Sequence, residues 1–286
     1  CDFHHFIEIY MTISRCLQTK DDIELITREF LANQAAQNIC YNEVTFTPYN
    51  QYFNNKLGFH EQMDAVNRAR QWGEKTFGVQ MGIIMDIPRA ISPGEGERIA
   101  NWAVERYGDG IIALGLGGPE IGNPPQKFLS AFTMVRNAGI PCILHAGETV
   151  GPDSVWNAIK IADSYRIGHG VRAVEDPILM DYLRDKQIPL EVCPSSNICL
   201  KVYPSFEEHS LPQLLNHGLV ITINSDDPPM FNTTLTNEYL IGVKTWGWDR
   251  KLITGFILNA VDASLLSRSE KSRMREEFES VFSEVG

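Results

Sequence analysis

Short runs of β-favouring apolar residues alternate along most of this chain with longer stretches of helical period. That alternation constrains the fold more than any other feature, because strands joined through helices pair in parallel. The strand-like runs are Tyr41–Thr47, Val79–Asp86, Gly110–Leu116, Pro141–His145, Tyr165–His169, Ile188–Val192 and Leu219–Asn224. The helical stretches between them lie near Glu61–Thr76, Gly94–Tyr107, Pro125–Ala138, Asp153–Asp163, Pro177–Lys186 and Glu208–His217. Two more, Phe3–Cys16 and Asp21–Asn38, precede the first strand, and Thr234–Lys244, Asp249–Val261 and Ser269–Phe282 follow the last. Gly108, Gly139 and Gly218 fall just past predicted helix ends, where a left-handed cap suits glycine.

Polar residues end several of these strands. His145, His169 and Asp226 each stand at or just past the end of an apolar run. Open parallel sheets and closed barrels both bind ligands at the carboxyl ends of their strands. Three chemically competent residues from three separate strands favour the (β/α)8 TIM barrel, with extra C-terminal helices. Such a barrel has eight strands, so one, the first, is expected to be missing. No Pro-, Ser- or Gly-rich linker divides the chain, and a single barrel domain over residues 1–286 is expected.

Composition narrows the partners. The 36 acidic and 25 basic residues give a net charge of -11, which argues against nucleic acid, since phosphate binding leans on clustered Lys and Arg. No apolar run approaches the roughly 20 residues of a membrane-spanning helix. With 43% hydrophobic residues the chain can build a large core, which excludes a disordered chain or a small disulfide scaffold. The six cysteines show no Cys-x-x-Cys spacing, and Cys142, Cys193 and Cys199 lie in or beside apolar segments. Free, mostly buried thiols in a cytoplasmic protein are expected. Residue 1 is Cys rather than Met, so the chain is expected to be incomplete at its N-terminus.

Five segments could carry chemistry. In Ile140-Pro-Cys-Ile-Leu-His145-Ala-Gly-Glu148 a tight turn lets His145 and Glu148 face the same mouth. Arg166-Ile-Gly-His169-Gly-Val-Arg172 gives His169 uncrowded access to a pocket. The adjacent carboxylates of Ile221-Thr-Ile-Asn-Ser-Asp226-Asp227-Pro228 repel each other unless a cation or donors compensate. Glu191-Val-Cys-Pro-Ser-Ser-Asn197 is a strand followed by a loop of hydrogen-bonding groups, and Leu114-Gly-Leu-Gly-Gly-Pro-Glu120 allows close backbone approach to a ligand. Each also has a plain structural reading: a hydrogen-bonded His, a helix cap or a turn. No Gly-x-Ser-x-Gly elbow exists for a serine nucleophile. The set as a whole suggests a hydrolytic metal site, with nitrogen from His145 and oxygen from Asp226, a mixture suited to zinc. A catalytic zinc takes three protein ligands as a rule, and these are two.

The ordered set His145-Ala-Gly-Glu148, Arg166-Ile-Gly-His169-Gly, Cys193-Pro-Ser-Ser-Asn197 and Ser225-Asp226-Asp227-Pro228 resembles the adenosine deaminase family of the metal-dependent amidohydrolase superfamily. The resemblance runs from about Phe3 to the C-terminal helices. It implies one zinc and hydrolytic deamination of an aminopurine, adenosine to inosine and ammonia first among them. Adenine, or a 5′-modified adenosine such as aminodeoxyfutalosine, is the alternative substrate. Carried over by position, His145 and Asp226 would be zinc ligands and Glu148 would protonate a ring nitrogen. His169 would hold and, with Asp226, help deprotonate the attacking water; Asp227 and the Gly118 N–H would contact the ring. The family's His-x-His pair, which supplies two further ligands, has no match here: His4 and His5 are adjacent in a helical segment, so the pair is expected upstream. Pro119 departs from the acid many adenosine deaminases carry beside the glycine. A purine-binding barrel that has lost its metal, and a hydrolase of another carbon–nitrogen bond, are the rival readings.

Overall fold

The computed structural model describes residues 3–284. Seven strands fall among them: β1 (Tyr41–Phe46), β2 (Gln80–Pro88), β3 (Ile111–Gly117), β4 (Cys142–Ala146), β5 (Arg166–His169), β6 (Leu190–Val192) and β7 (Ile221–Ile223). They follow chain order in the sheet, as in a TIM-type α/β barrel. By contact the chain forms two units, Cys1–His145 with Asn157–Tyr165, and Ala146–Trp156 with Arg166–Gly286.

In the first unit, parallel ladders run from β1 through β4. Buried on both faces, β2 and β3 read as nearly unbroken apolar runs, the mark of parallel strands covered by helices. The helices here are α1 (Phe3–Ser14), α2 (Lys20–Ala36), α3 (Pro48–Asn55), α4 (Phe59–Phe77), α5 (Pro93–Glu105) and α6 (Leu129–Asn137). α2 starts at a capping box, in which the Thr19 hydroxyl accepts the Asp22 N–H and the Asp22 carboxylate accepts the Thr19 N–H. Ser92 and Glu95 repeat the device at α5. The stretch expected as one helix over Pro125–Ala138 divides into a 3₁₀ turn (Pro125–Phe128) and α6.

In the second unit, β5, β6 and β7 pair in parallel. α7 (Pro152–Ala162) is shared between the units; α8 (Pro177–Lys186), α9 (Pro194–Cys199), α10 (Leu211–Asn216) and α11 (Pro228–Phe231) follow. The expected C-terminal helices are α12 (Leu235–Trp246), α13 (Arg250–Ala263) and α14 (Arg268–Glu284). β6 and β7 begin later than their apolar runs for one reason. The Ile188 N–H donates to Leu183 O and the Leu219 N–H to Leu214 O, so both close the preceding helix instead of entering a ladder.

The thiols differ in part from expectation. Cys142 and Cys193 are buried, but Cys16 and Cys199 are exposed, because Cys199 ends the short helix α9. Among the described residues no helix is long and apolar enough to cross a membrane.

Gly242 on α12 lies against the Trp248 ring; a Cβ there would sit 1.9 Å from Trp248 Cε3. Trp248 is buried, stacked on Trp246 at 5.3 Å and packed on Phe256 at 4.7 Å, so it has nowhere to move. Alanine gains about 1 kcal/mol over glycine in an exposed helix interior. Here overpacking reverses the sign, and Gly242→Ala should lose about 1–3 kcal/mol of stability, read by urea unfolding.

Candidate active site

The second unit holds most of the chemistry, at the carboxyl ends of its strands. His169 ends β5, and Asp226 follows β7 after the loop residues Asn224 and Ser225. Both adopt left-handed backbone, with φ of 62° and 56°. For a residue with a side chain that conformation costs about 1–2 kcal/mol. Strain of this kind persists where the surroundings hold it, and it gathers at functional sites. Beside them Gly147 turns the chain after β4 with φ 69°; a Cβ there would meet Val155 at 2.4 Å, so only glycine fits. The Gly170 N–H donates to Ala146 O and the Arg172 N–H to Gly147 O, both at 2.9 Å, which fixes Glu148 in space.

Around His169 the side chains converge. Its Nδ1 lies 3.7 Å from Glu148 Oε1 and its Nε2 lies 3.9 Å from Asp226 Oδ2. His169 and Glu148 are buried, and the Asp226 side chain is 17% exposed. Burial, then the charge of Asp226 and a hydrogen bond to it, pushes the Asp227 carboxyl far above the usual carboxylate range.

Further carboxylates crowd the same unit. Glu238 of α12 is fully buried; it accepts the Ser195 N–H at 3.0 Å and the Thr233 hydroxyl, which ties α12 to the loop after β6. Burial raises its pKa. Burial and four surrounding acids, led by Asp226, drive the Cys193 thiol up, which disqualifies it as a nucleophile at neutral pH. The Arg166 guanidinium, itself buried, pairs with Glu191 at 2.7 Å and donates to Ala263 O at 2.8 Å, linking β5, β6 and the end of α13.

The first unit carries His145 and Gly118. His145 lies on β4, and its backbone carbonyl accepts a hydrogen bond from the buried Arg89 guanidinium, which also donates to Asn123 O at 2.9 Å. Gly118 follows β3 with φ 92°, and its side-chain position is open, with Arg89 N as the nearest atom at 3.8 Å. Asp86, on β2, is wholly buried and accepts the Thr47 hydroxyl at 3.3 Å. Burial pushes its pKa to about 6, against the opposing effects of His145 and Arg89. His145 in the first unit, and His169 and Asp226 in the second, each carry a side-chain atom able to bind a metal ion.

Within the second unit the structure therefore gathers Glu148, His169, Asp226 and Asp227, all read from sequence. Sequence reading missed Glu238 and His209 in that unit, and Asp86 and Arg89 in the first. Asp86 carried a usable signal, a carboxylate late in an apolar strand; the other three act through contacts distant in sequence. His209 is 2% exposed, and burial lowers its pKa to about 4. Below its ordinary pKa near 6.5 the unfolded chain takes up a proton that the folded chain refuses. Stability from this group is therefore full above pH 6.5 and declines as pH falls towards 4. Wild type should lose about 2 kcal/mol more than His209→Gln between pH 7 and pH 4.5, measured by urea unfolding.

The family model for adenosine deaminase matches residues 1–281. An aminodeoxyfutalosine deaminase of Streptomyces avermitilis is 38% identical over 282 residues, covering 97% of this chain and 78% of that protein. An adenine deaminase of Crocosphaera subtropica is 34% identical over 273 residues, 96% of this chain and 83% of that protein. The crystal structure of an adenine deaminase from Arthrobacter aurescens superposes with a TM-score of 0.93 at 28% identity, over 98% of this chain and 85% of that one.

Proposed function

We propose that this chain, which belongs to the adenosine deaminase family and is a hydrolase of carbon–nitrogen bonds, removes the amino group of a 6-aminopurine carried on a 5′-modified nucleoside. The observation that carries deamination is the set of carboxylates about the buried His169, with Glu148 buried and Asp226 and Asp227 half-buried. A retired barrel has no need to keep several carboxylates desolvated, which weighs against a merely purine-binding role.

The donor set suits zinc, since His145 and His169 offer imidazole nitrogen and Asp226 a carboxylate oxygen. His145 and Asp226 are the residues we assign to hold it. When bound, zinc lowers the pKa of water towards neutrality and so supplies a nucleophile. His169 holds the attacking water by a hydrogen bond, and Asp226 takes its proton. Glu148 gives a proton to a ring nitrogen as oxygen adds to the carbon bearing the amino group. That carbon becomes tetrahedral, the amino group takes a proton and leaves as ammonia, and the oxygen remains as the carbonyl. Asp227 hydrogen-bonds a second ring nitrogen, and Gly118 offers its backbone N–H to the ring.

The relatives shift the substrate away from adenosine, the first choice from sequence. Of those described above, the aminodeoxyfutalosine deaminase has the higher identity and the adenine deaminase the lower. Pro119, where many adenosine deaminases carry an acid, agrees with a different nucleoside contact. A panel of adenine, adenosine and aminodeoxyfutalosine, followed by ammonia release, tests this. The 5′-modified nucleoside should exceed the others in kcat/KM by about tenfold or more. Sole turnover of adenine would sink the nucleoside reading.

The roles have their own tests. Glu148→Gln should keep its metal and lose about two orders of magnitude or more in kcat, given what a positioned proton donor contributes. Asp226→Ala should lose metal and activity alike, and full metal occupancy by elemental analysis would refute its assignment as a ligand.

A further inference from the structure

The short helix α9, just after β6, holds an asparagine that the proposed reaction does not use. Asn197 is completely buried, and its two polar ends face two different histidines. Its Oδ1 lies 3.1 Å from His209 Nε2, and its Nδ2 lies 3.4 Å from His169 Nδ1. The far end of the chain fixes the direction. The Leu211 backbone N–H can only donate, and it donates to His209 Nδ1 at 3.0 Å.

A neutral imidazole has one donor and one acceptor nitrogen. With Nδ1 accepting, the His209 proton sits on Nε2 and is donated to Asn197 Oδ1. The Asn197 amide then turns its N–H towards His169 Nδ1, which must accept. That leaves the His169 proton on Nε2, the atom nearer Asp226 Oδ2 at 3.9 Å. Glu148 Oε1, at 3.7 Å from Nδ1, lies beyond hydrogen-bond length and does not compete for that proton. His209 stays neutral in this role, enclosed by the Tyr203 ring at 4.6 Å and the Trp246 ring at 6.0 Å.

We propose that His209, acting through Asn197, is a positioning residue that fixes the tautomer of His169, with Nδ1 as acceptor and the proton on Nε2. The inference rests on the deaminase reading above for its kinetic consequence only. In this tautomer His169 donates a hydrogen bond to the reacting oxygen and does not take its proton, which falls to Asp226. The polar loop singled out in the sequence thereby gains a function: it carries orientation from the start of α10 to the end of β5.

The test is ¹⁵N imidazole NMR at pH 7, with the His169 signals assigned by their loss in His169→Gln. Wild type should show His169 protonated at Nε2. In Asn197→Asp the carboxylate accepts from both sides and should draw the His169 proton to Nδ1. His209→Leu removes the donor to Asn197 and should bring in the second tautomer, whereas His209→Gln, which keeps an N–H for Asn197 Oδ1, should retain the first. For Asn197→Asp, kcat should fall by about 10- to 100-fold with KM changed less than about threefold, the scale of lost outer-sphere orientation. A merely structural role would lower Tm and leave the tautomer alone. Wild-type His169 protonated at Nδ1, or an unchanged tautomer in Asn197→Asp, overturns the proposal. The wild-type spectrum decides even where a variant fails to fold. It is read without substrate, so an error about the purine cannot be mistaken for an error about the histidines.

Discussion

Burying carboxylates in one place is expensive, and the second unit does it repeatedly. Glu148, Asp226, Asp227 and Glu238 all bear on the Cys193 neighbourhood or on one another, with little water to screen them. Each isolated charge taken into a poorly polarisable interior must find a counter-charge, donors or a proton. Three different remedies are visible. Glu238 accepts a backbone N–H and a hydroxyl, and burial beside Asp226 pushes the Asp227 carboxyl towards its protonated form. Asp226 lies beside an imidazole and belongs to the residues that could bind a cation. The carboxylates of this unit therefore sit in different surroundings, and different surroundings are what let neighbouring acids take different roles.

Such a site needs a rigid frame, and the frame is built from backbone as much as from side chains. His169 and Asp226 take left-handed conformations that the unfolded chain avoids. The strain is tolerated because the strands leading into them are locked. Arg166 begins β5 and is held by Glu191 and Ala263 O, and Gly170, just after His169, donates to Ala146 O. In the first unit Arg89 does the corresponding work for His145 by gripping its carbonyl. Both arginines are buried, and both spend their planar donors on fixed acceptors; lysine, with a single ammonium, could not copy that geometry.

How much of this was legible in sequence follows from how local each cause is. The strands and the long helices were legible because hydrophobic period is a local property; β1 begins at its expected residue, and α8 spans its expected range. Strand ends were less so: Ile188 and Leu219 look like strand residues by composition, and only the helix-closing bonds to Leu183 and Leu214 remove them. The short helices α3, α9 and α11 escaped because each begins with a proline and is too short to display a period. Among the candidate residues, Glu148, His169, Asp226 and Asp227 announced themselves by chemistry at or just past strand ends, and all four lie in the second unit. His209 did not. It reads as the polar start of a helix, and its side chain does take the Leu211 N–H as a cap would, yet its other nitrogen faces Asn197. A role made by two contacts in opposite directions has no signature in either segment alone.

The buried network also bears on why a deaminase should be particular about its nucleoside. In the proposed reaction Glu148, His169, Asp226 and Asp227 act on the purine ring or on the attacking water, and a 6-aminopurine ring is common to adenine, adenosine and 5′-modified adenosines. Discrimination among them must therefore come from groups that meet the ribose or its 5′ substituent, away from the reacting carbon. Binding energy gathered there raises kcat only if it is spent holding the ring against Glu148 and Asp227 in the transition state. The contact proposed for Asp227 fits that requirement, because a hydrogen bond to a ring nitrogen depends closely on position. A ring displaced by even one ångström would lose it, so a nucleoside whose remote groups seat badly is penalised at the chemical step as well as in binding.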